Sequence, residues 1–129
     1  MVLLDTHVLI WLVNEPVKLS KRANEAIFAA RESDGLAISA ITLWELAWIA
    51  THGRLDFVGT VDTLVERITS KIAIRPITSQ IAILANQFPT TYSNDPSDRL
   101  IGATAMAEGI ALVTKDRTIR DCKQIKTIW

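Results

Sequence analysis

Short apolar runs alternating with helical stretches constrain the fold of this chain before any single residue is weighed. Val2–Asp5, Leu36–Ser39, Ile72–Ile77 and Ile110–Thr114 read as buried strands, and Ile125–Trp129 as a fifth. Between them lie helices: Thr6–Val13, closed by Pro16; one capped by Ser20 and running to Ser33; Ile41–Thr51, stopped at His52-Gly53; and Val61–Thr69. Thr78–Gln87 and Arg99–Glu108 complete the set, the last capped by Asp95, with Pro96 in its first turn and Gly109 at its end. Polar caps, proline in first turns and glycine beyond last turns are the expected helix punctuation. Strands separated by helical crossovers pair in parallel, and a parallel sheet is covered on both faces. The expected class is α/β, a three-layer α/β/α domain of about five strands. With 129 residues the chain is expected to form a single domain, 1–129, long enough to bury a core.

Composition narrows the partners. Fourteen acidic residues balance fourteen basic ones, so no strong basic field is available to hold a polyanion, and any nucleic-acid contact must rest on local patches. The lone cysteine, Cys122, excludes an intramolecular disulfide and a cysteine zinc site. No stretch approaches the roughly twenty apolar residues of a membrane span. Val8–Val13 is short and follows Asp5 and His7, unlike a signal peptide. A soluble cytoplasmic domain with no membrane contact is expected.

Four acids fall where the topology would gather them. In an alternating strand–helix chain, the carboxyl ends of the strands meet along one sheet edge, where ligand crevices form. Asp5 and Asp116 each follow a strand, Glu45 interrupts a greasy helix and Asp98 opens another. Each has an ordinary role open to it: Asp5 as a cap, Glu45 in a capping box with Thr42, Asp98 on a helix dipole, Asp116 in a turn. Glu45 is nonetheless the only ionisable residue between Ile38 and Thr51, in a helix apolar enough to be buried on most faces, where a carboxylate needs a partner. Together, four carboxylates at one edge repel unless a hard, oxygen-seeking cation holds them. Thr6 and Thr114, with Ser39 and Thr42, could hydrogen-bond and orient them, though helix caps and strand ends explain Ser39, Thr42 and Thr114 equally well. Trp11, Trp44 and Trp48 read as core or interface residues rather than as platforms for bases. The basic tail Lys115, Arg117, Arg120, Lys123 and Lys126 reads as a solvated face or, beside an acid site, as a phosphate contact. There is no Gly-rich phosphate loop, nucleophile elbow or HExxH.

Leu3-Leu4-Asp5-Thr6-His7, Thr42-Leu43-Trp44-Glu45-Leu46, Asp95-Pro96-Ser97-Asp98-Arg99-Leu100-Ile101 and Leu112-Val113-Thr114-Lys115-Asp116, in that order, resemble a PIN-domain nuclease of the VapC toxin type. The resemblance spans nearly the whole chain. It implies a parallel sheet in order 3-2-1-4-5 and a Mg²⁺- or Mn²⁺-dependent cut in RNA, leaving a 3′-hydroxyl and a 5′-phosphate. Asp5, Glu45, Asp98 and Asp116 match the family's four acids, and the Asp-Arg-Leu-Ile pattern selects Asp98 over nearby Asp95. His7 stands where many relatives carry Asn or Ser. Asp5 and Asp98 are expected as direct metal ligands and Asp116 as a ligand direct or through water. Glu45 would bind a second metal or orient the attacking water. Arg99, Lys115 and Arg117 are the expected RNA-backbone contacts. A cognate antitoxin and a homodimer are further implications, with Ala47, Trp48 and Ile49 or the helix Val61–Ile68 as the contact surface.

Three other readings compete. A phosphatase of the haloacid-dehalogenase type wants an acid at the position of His7, and a phospho-receiver wants an acceptor Asp after a middle strand. A PIN-like fold kept only for binding RNA or protein is the non-enzymatic alternative, though an inert domain has no need of four acids.

Overall fold

The computed structural model describes every residue from Met1 to Trp129. Its strands are β1 (Val2–Leu4), β2 (Leu36–Ser39), β3 (Ile72–Arg75), β4 (Ala111–Val113) and β5 (Thr127–Ile128). All pair in parallel, in the order β3-β2-β1-β4-β5. The helices are α1 (Thr6–Asn14), α2 (Lys21–Arg31), α3 (Ala40–Thr51), α4 (Val61–Thr69), α5 (Ser79–Ala85), α6 (Pro96–Glu108) and α7 (Arg117–Arg120).

Side-chain alternation along the strands divides the core in two. Leu4, Ile38 and Val113 face one side, where they pack with Val8, Leu9, Ile27, Leu46 and Leu64 from α1 to α4. Leu3, Ala37 and Leu112 face the other, against Ile81, Ile101 and Ile119 from α5, α6 and α7. The expected three layers and the 3-2-1-4-5 order are both present. No helix is long and apolar enough to cross a membrane.

Several local expectations change. β3 ends at Arg75 rather than Ile77, because Pro76 cannot donate to a ladder. Pro16 opens a 3₁₀ turn, Pro16–Lys18, after α1 has already ended at Asn14. α6 begins at Pro96, three residues before Arg99, which places Ser97 and Asp98 in its first turn. The capping box of Thr42 and Glu45 does not form: Ser39 caps α3, its hydroxyl accepting from the Ile41 N–H. Nor is α3 buried on most faces, since Trp44 is 62% exposed.

The topology leaves the carboxyl ends of β1, β2 and β4 side by side. The Asp5 N–H donates to the Val113 carbonyl at 3.1 Å, so the residues just beyond β1 and β4 are locked together. α1, α3 and α7 all start at this edge, with Asp5, Ser39 and Asp116 as their caps.

Candidate active site

A cavity of about 280 Å³ opens at this edge. Asp5, Glu45, Asp98 and Asp116 line it, joined by Asp95, His7, Trp11 and Lys115. Five carboxylates therefore face one lysine. They come from the ends of β1 and β4, the second turn of α3 and the start of α6, segments up to 111 positions apart in a chain of 129 residues.

Hydroxyl groups hold the acids in place. Asp5 is buried; its Oδ1 accepts from the Thr6 N–H at 2.8 Å and its Oδ2 from the Thr114 hydroxyl at 2.7 Å. Thr114 Oγ1 in turn accepts from the Asp116 N–H at 3.1 Å, tying both aspartates to one side chain. The Thr6 hydroxyl donates to Glu45 Oε1 at 2.6 Å and lies 3.0 Å from the Thr42 hydroxyl. Having given its only proton to Glu45, Thr6 accepts the one from Thr42. Ser93 donates to Asp98 Oδ2 at 2.6 Å, and the Tyr92 hydroxyl donates to the Asp98 carbonyl at 2.8 Å. Asp95 Oδ1 accepts from the Ser97 N–H, and Asp116 Oδ1 from Thr118.

This crowding moves the titrations. Burial raises the Asp5 carboxyl above its ordinary range, against the pull of Thr114, His7 and Thr6. Burial likewise raises Glu45, with the charges of Asp5, Asp95 and Asp98 adding to the rise. Asp98 is pushed up to about 6, first by burial, then by Asp5, Asp95 and Asp116. Carboxylates raised by burial and by one another mark a site that gains from a cation.

The donor set suits a hard ion, because it is all oxygen apart from the His7 ring. Glu45 Oε2, Asp98 Oδ1 and Asp116 Oδ2 accept no hydrogen bond from the protein, which leaves them free to turn toward an ion. As they stand, no three His, Cys, Asp or Glu side chains are drawn close enough to hold a metal. An ion that keeps several waters and takes one or two carboxylates directly, as Mg²⁺ does, does not need three ligands in contact.

The candidate residues divide between the cavity and its surroundings. Thr6 and Thr114 stand behind the acids as orienting groups, and Lys115 lines the cavity. Arg99 does not. Its guanidinium donates to the Ala85 and Phe88 carbonyls at 3.0 and 3.4 Å, fastening the end of α5 to α6. Arg117 lines a separate cleft with Arg22, Arg120 and Trp129. Sequence reasoning set Asp95 aside, yet it shares the wall with Asp98. The two are three residues apart at the opening of one helix, a spacing that places side chains on one face. Ser93 and Tyr92 were missed because nothing in a polar loop marks which residues fold back onto a helix start.

Comparison with known proteins meets this geometry. Residues 2–124 match the family model of the PIN domain. The chain belongs to the PIN-domain family. All four motif segments of Asp5, Glu45, Asp98 and Asp116 lie within the matched span. A relative, ribonuclease VapC22 of Mycobacterium tuberculosis, is 38% identical over 130 residues, covering 99% of this chain and 98% of its own. Among solved structures, VapBC2 of Rickettsia felis bound to a DNA fragment from its promoter is similar with a TM-score of 0.75. It is 17% identical and covers 98% of this chain and 97% of its own. A toxin–antitoxin complex from Klebsiella pneumoniae gives a TM-score of 0.68 at 23% identity, covering 97% and 95% of the two chains. The structural likenesses show that the fold is shared over nearly the whole chain.

Proposed function

We propose that this chain is a Mg²⁺- or Mn²⁺-dependent endoribonuclease, the toxin of a toxin–antitoxin pair. It hydrolyses RNA phosphodiesters at the site of Asp5, Glu45, Asp98 and Asp116, with residues 1–129 forming one nuclease domain. The observation that carries the reading is the cavity itself: the four acids, with Asp95, converge on one edge of a PIN fold, and three of them are raised by burial and mutual charge. Near-full-length similarity to a protein named ribonuclease VapC22 supports the reaction class.

Asp5 and Asp98 are the direct metal ligands in this reading, with Asp116 beside them directly or through water. A cation held by these carboxylates would supply charge neutralisation at the phosphoryl and leaving oxygens and a more acidic bound water. The chain's own part is positioning. Thr114 holds Asp5 and Asp116 as a pair, and Ser93 fixes Asp98. Glu45, held by Thr6 and raised by burial, is placed to hold a second ion or to orient the attacking water and take its proton. Lys115 is the one cation on the cavity wall and meets the RNA backbone. Arg99, engaged with α5, is not carried forward as a backbone contact.

Similarity to a chain of a solved toxin–antitoxin complex supports an antitoxin as the inhibitory partner. Trp44 and Trp48, exposed on α3, offer apolar surface for that protein or for a second copy of the chain. A cytoplasmic site of action follows from the same reading.

The test is RNA cleavage by purified chain in Mg²⁺ or Mn²⁺, beside EDTA and Asp5→Asn. Cutting that needs the metal and is lost in the variant supports the proposal. Absence of cutting across a varied RNA panel, from folded protein free of antitoxin, would point instead to a PIN-like binding module.

A further inference from the structure

Trp11 is the only large apolar side chain on the wall of the acid cavity. The sequence reads it as core or interface, and part of it packs against the cluster around Leu9. The remainder is open, and what surrounds the open part is unusual for a core residue. Lys115 Nζ lies 5.8 Å from the ring centroid and Lys18 Nζ 6.0 Å away. The rings of His7 and Trp129 lie 6.1 and 5.9 Å away, both tilted. Trp44 and Trp48 are more exposed, but neither lines the cavity.

We infer that Trp11 is the platform on which one base of a single-stranded RNA stacks beside the cut, while Lys115 meets the phosphate attached to that nucleotide. The inference rests on the ribonuclease reading above and adds a substrate subsite to it. Three observations carry it. An indole fixed on its core side loses little freedom when a base covers its open side. Lys115 and Lys18 are exposed chains resting near that ring, and such contacts are weaker than base–aromatic stacking, so a base displaces them. Finally, Lys115 is the only cation among five carboxylates in the cavity, so a nucleotide that approaches it is brought against Trp11. A ring beside a cation is also the pairing by which single strands are held without sequence readout. A base can reach Trp11 only if it is unstacked, so the subsite takes loops, bulges or unpaired strands rather than a continuous duplex.

The test perturbs both sides of the contact. RNA oligonucleotides lacking one base at each position in turn are given to the full chain, to Trp11→Leu, to Trp11→Phe and to the control Phe28→Leu. The readouts are kcat and KM for cleavage and, separately, the anisotropy of labelled RNA in Ca²⁺ buffer. One baseless position is expected to weaken the parent by about 5- to 150-fold in KM and in binding. Trp11→Leu should lose a similar factor on intact RNA and be indifferent to the missing base at that position. Trp11→Phe should keep most of the affinity, and Phe28→Leu, at an exposed position on α2 away from the cavity, should match the parent. The inference is overturned if Trp11→Leu binds intact RNA as the parent does, or if the baseless penalty survives in it. Should Trp11→Leu fail to fold, the parent decides alone, because a uniform response to every missing base also overturns it. Normal cutting with no Trp11 effect defeats the inference and leaves the ribonuclease reading standing, whereas a parent that neither cuts nor binds any RNA defeats both.

Discussion

Replacing Asp98 with asparagine should make the metal-free protein more stable at neutral pH, although it removes a residue of the site. Burial and the neighbouring charges of Asp5, Asp95 and Asp116 raise this carboxyl from 3.8 to about 6. A rise of that size corresponds to about 3 kcal/mol of cost in keeping the group ionised in the folded state. Solvent on its open side screens the charges and reduces the cost to about 1–1.5 kcal/mol. The sign follows from proton binding: between pH 3.8 and about 6 the folded form holds the proton that the unfolded chain has released. Stability owed to this group is therefore greatest below pH 3.8 and is lost as pH rises to about 6. The substituted asparagine carries no charge, and its amide oxygen can still accept from Ser93. Urea denaturation in EDTA is the assay. At about pH 7.5 Asp98→Asn should exceed the parent by about 1–1.5 kcal/mol, or about 3–6 °C in Tm, with the gap closing toward about pH 4. Added Mn²⁺ should reverse the order, because the parent alone retains the full ligand set. A variant less stable than the parent in EDTA at both pH values would refute the reasoning.

Other substitutions separate the roles of neighbouring residues. Thr114→Val keeps the shape but removes the donor to Asp5 Oδ2 and the acceptor for the Asp116 N–H, and should cost about 1–3 kcal/mol in chemical denaturation. In Gly102→Ala the added methyl meets the Tyr92 hydroxyl and the Ile125 side chain, so a loss of about 1–3 kcal/mol is expected, with cleavage falling because Tyr92 is the donor to the Asp98 carbonyl. Arg99→Gln should lower Tm and leave the salt dependence of RNA binding unchanged, since its guanidinium serves the Ala85 and Phe88 carbonyls. Lys115→Ala should do the opposite, leaving Tm near the parent and reducing the log–log salt slope by about 0.7–1.

The three layers were legible in the sequence because short apolar strands alternate with helical stretches along it. Val2–Asp5 read as buried strand and the run after Ser20 as helix, and the structure sets Leu4 with Ala23, Ile27 and Ala30 in one layer and Leu3 in the other. The resemblance then supplied the strand order, which no local pattern encodes. Asp5, Glu45, Asp98 and Asp116 were legible for a topological reason, since each sits beyond a strand or in an early turn of a helix at the same edge. What failed were contacts between segments distant in sequence. The capping box at Thr42 was a sound local pattern, overridden when Ser39 took the cap and Thr42 turned toward Thr6. Arg99 follows an acid of the site in sequence, but a helix turns by about 100° per residue and points neighbours in different directions. Trp11 reads in the sequence as a core or interface residue, whereas its position four residues after His7 on α1 puts it on the cavity wall.

The most direct test of the four-acid site is Mn²⁺ binding by calorimetry to the purified chain and to Asp5→Asn, Glu45→Gln, Asp98→Asn and Asp116→Asn. The parent should bind one or two ions, and each substitution should weaken at least one of them by about tenfold or more. Retained binding in all four variants, or none in the parent, would contradict the assignment of these carboxylates to a metal centre.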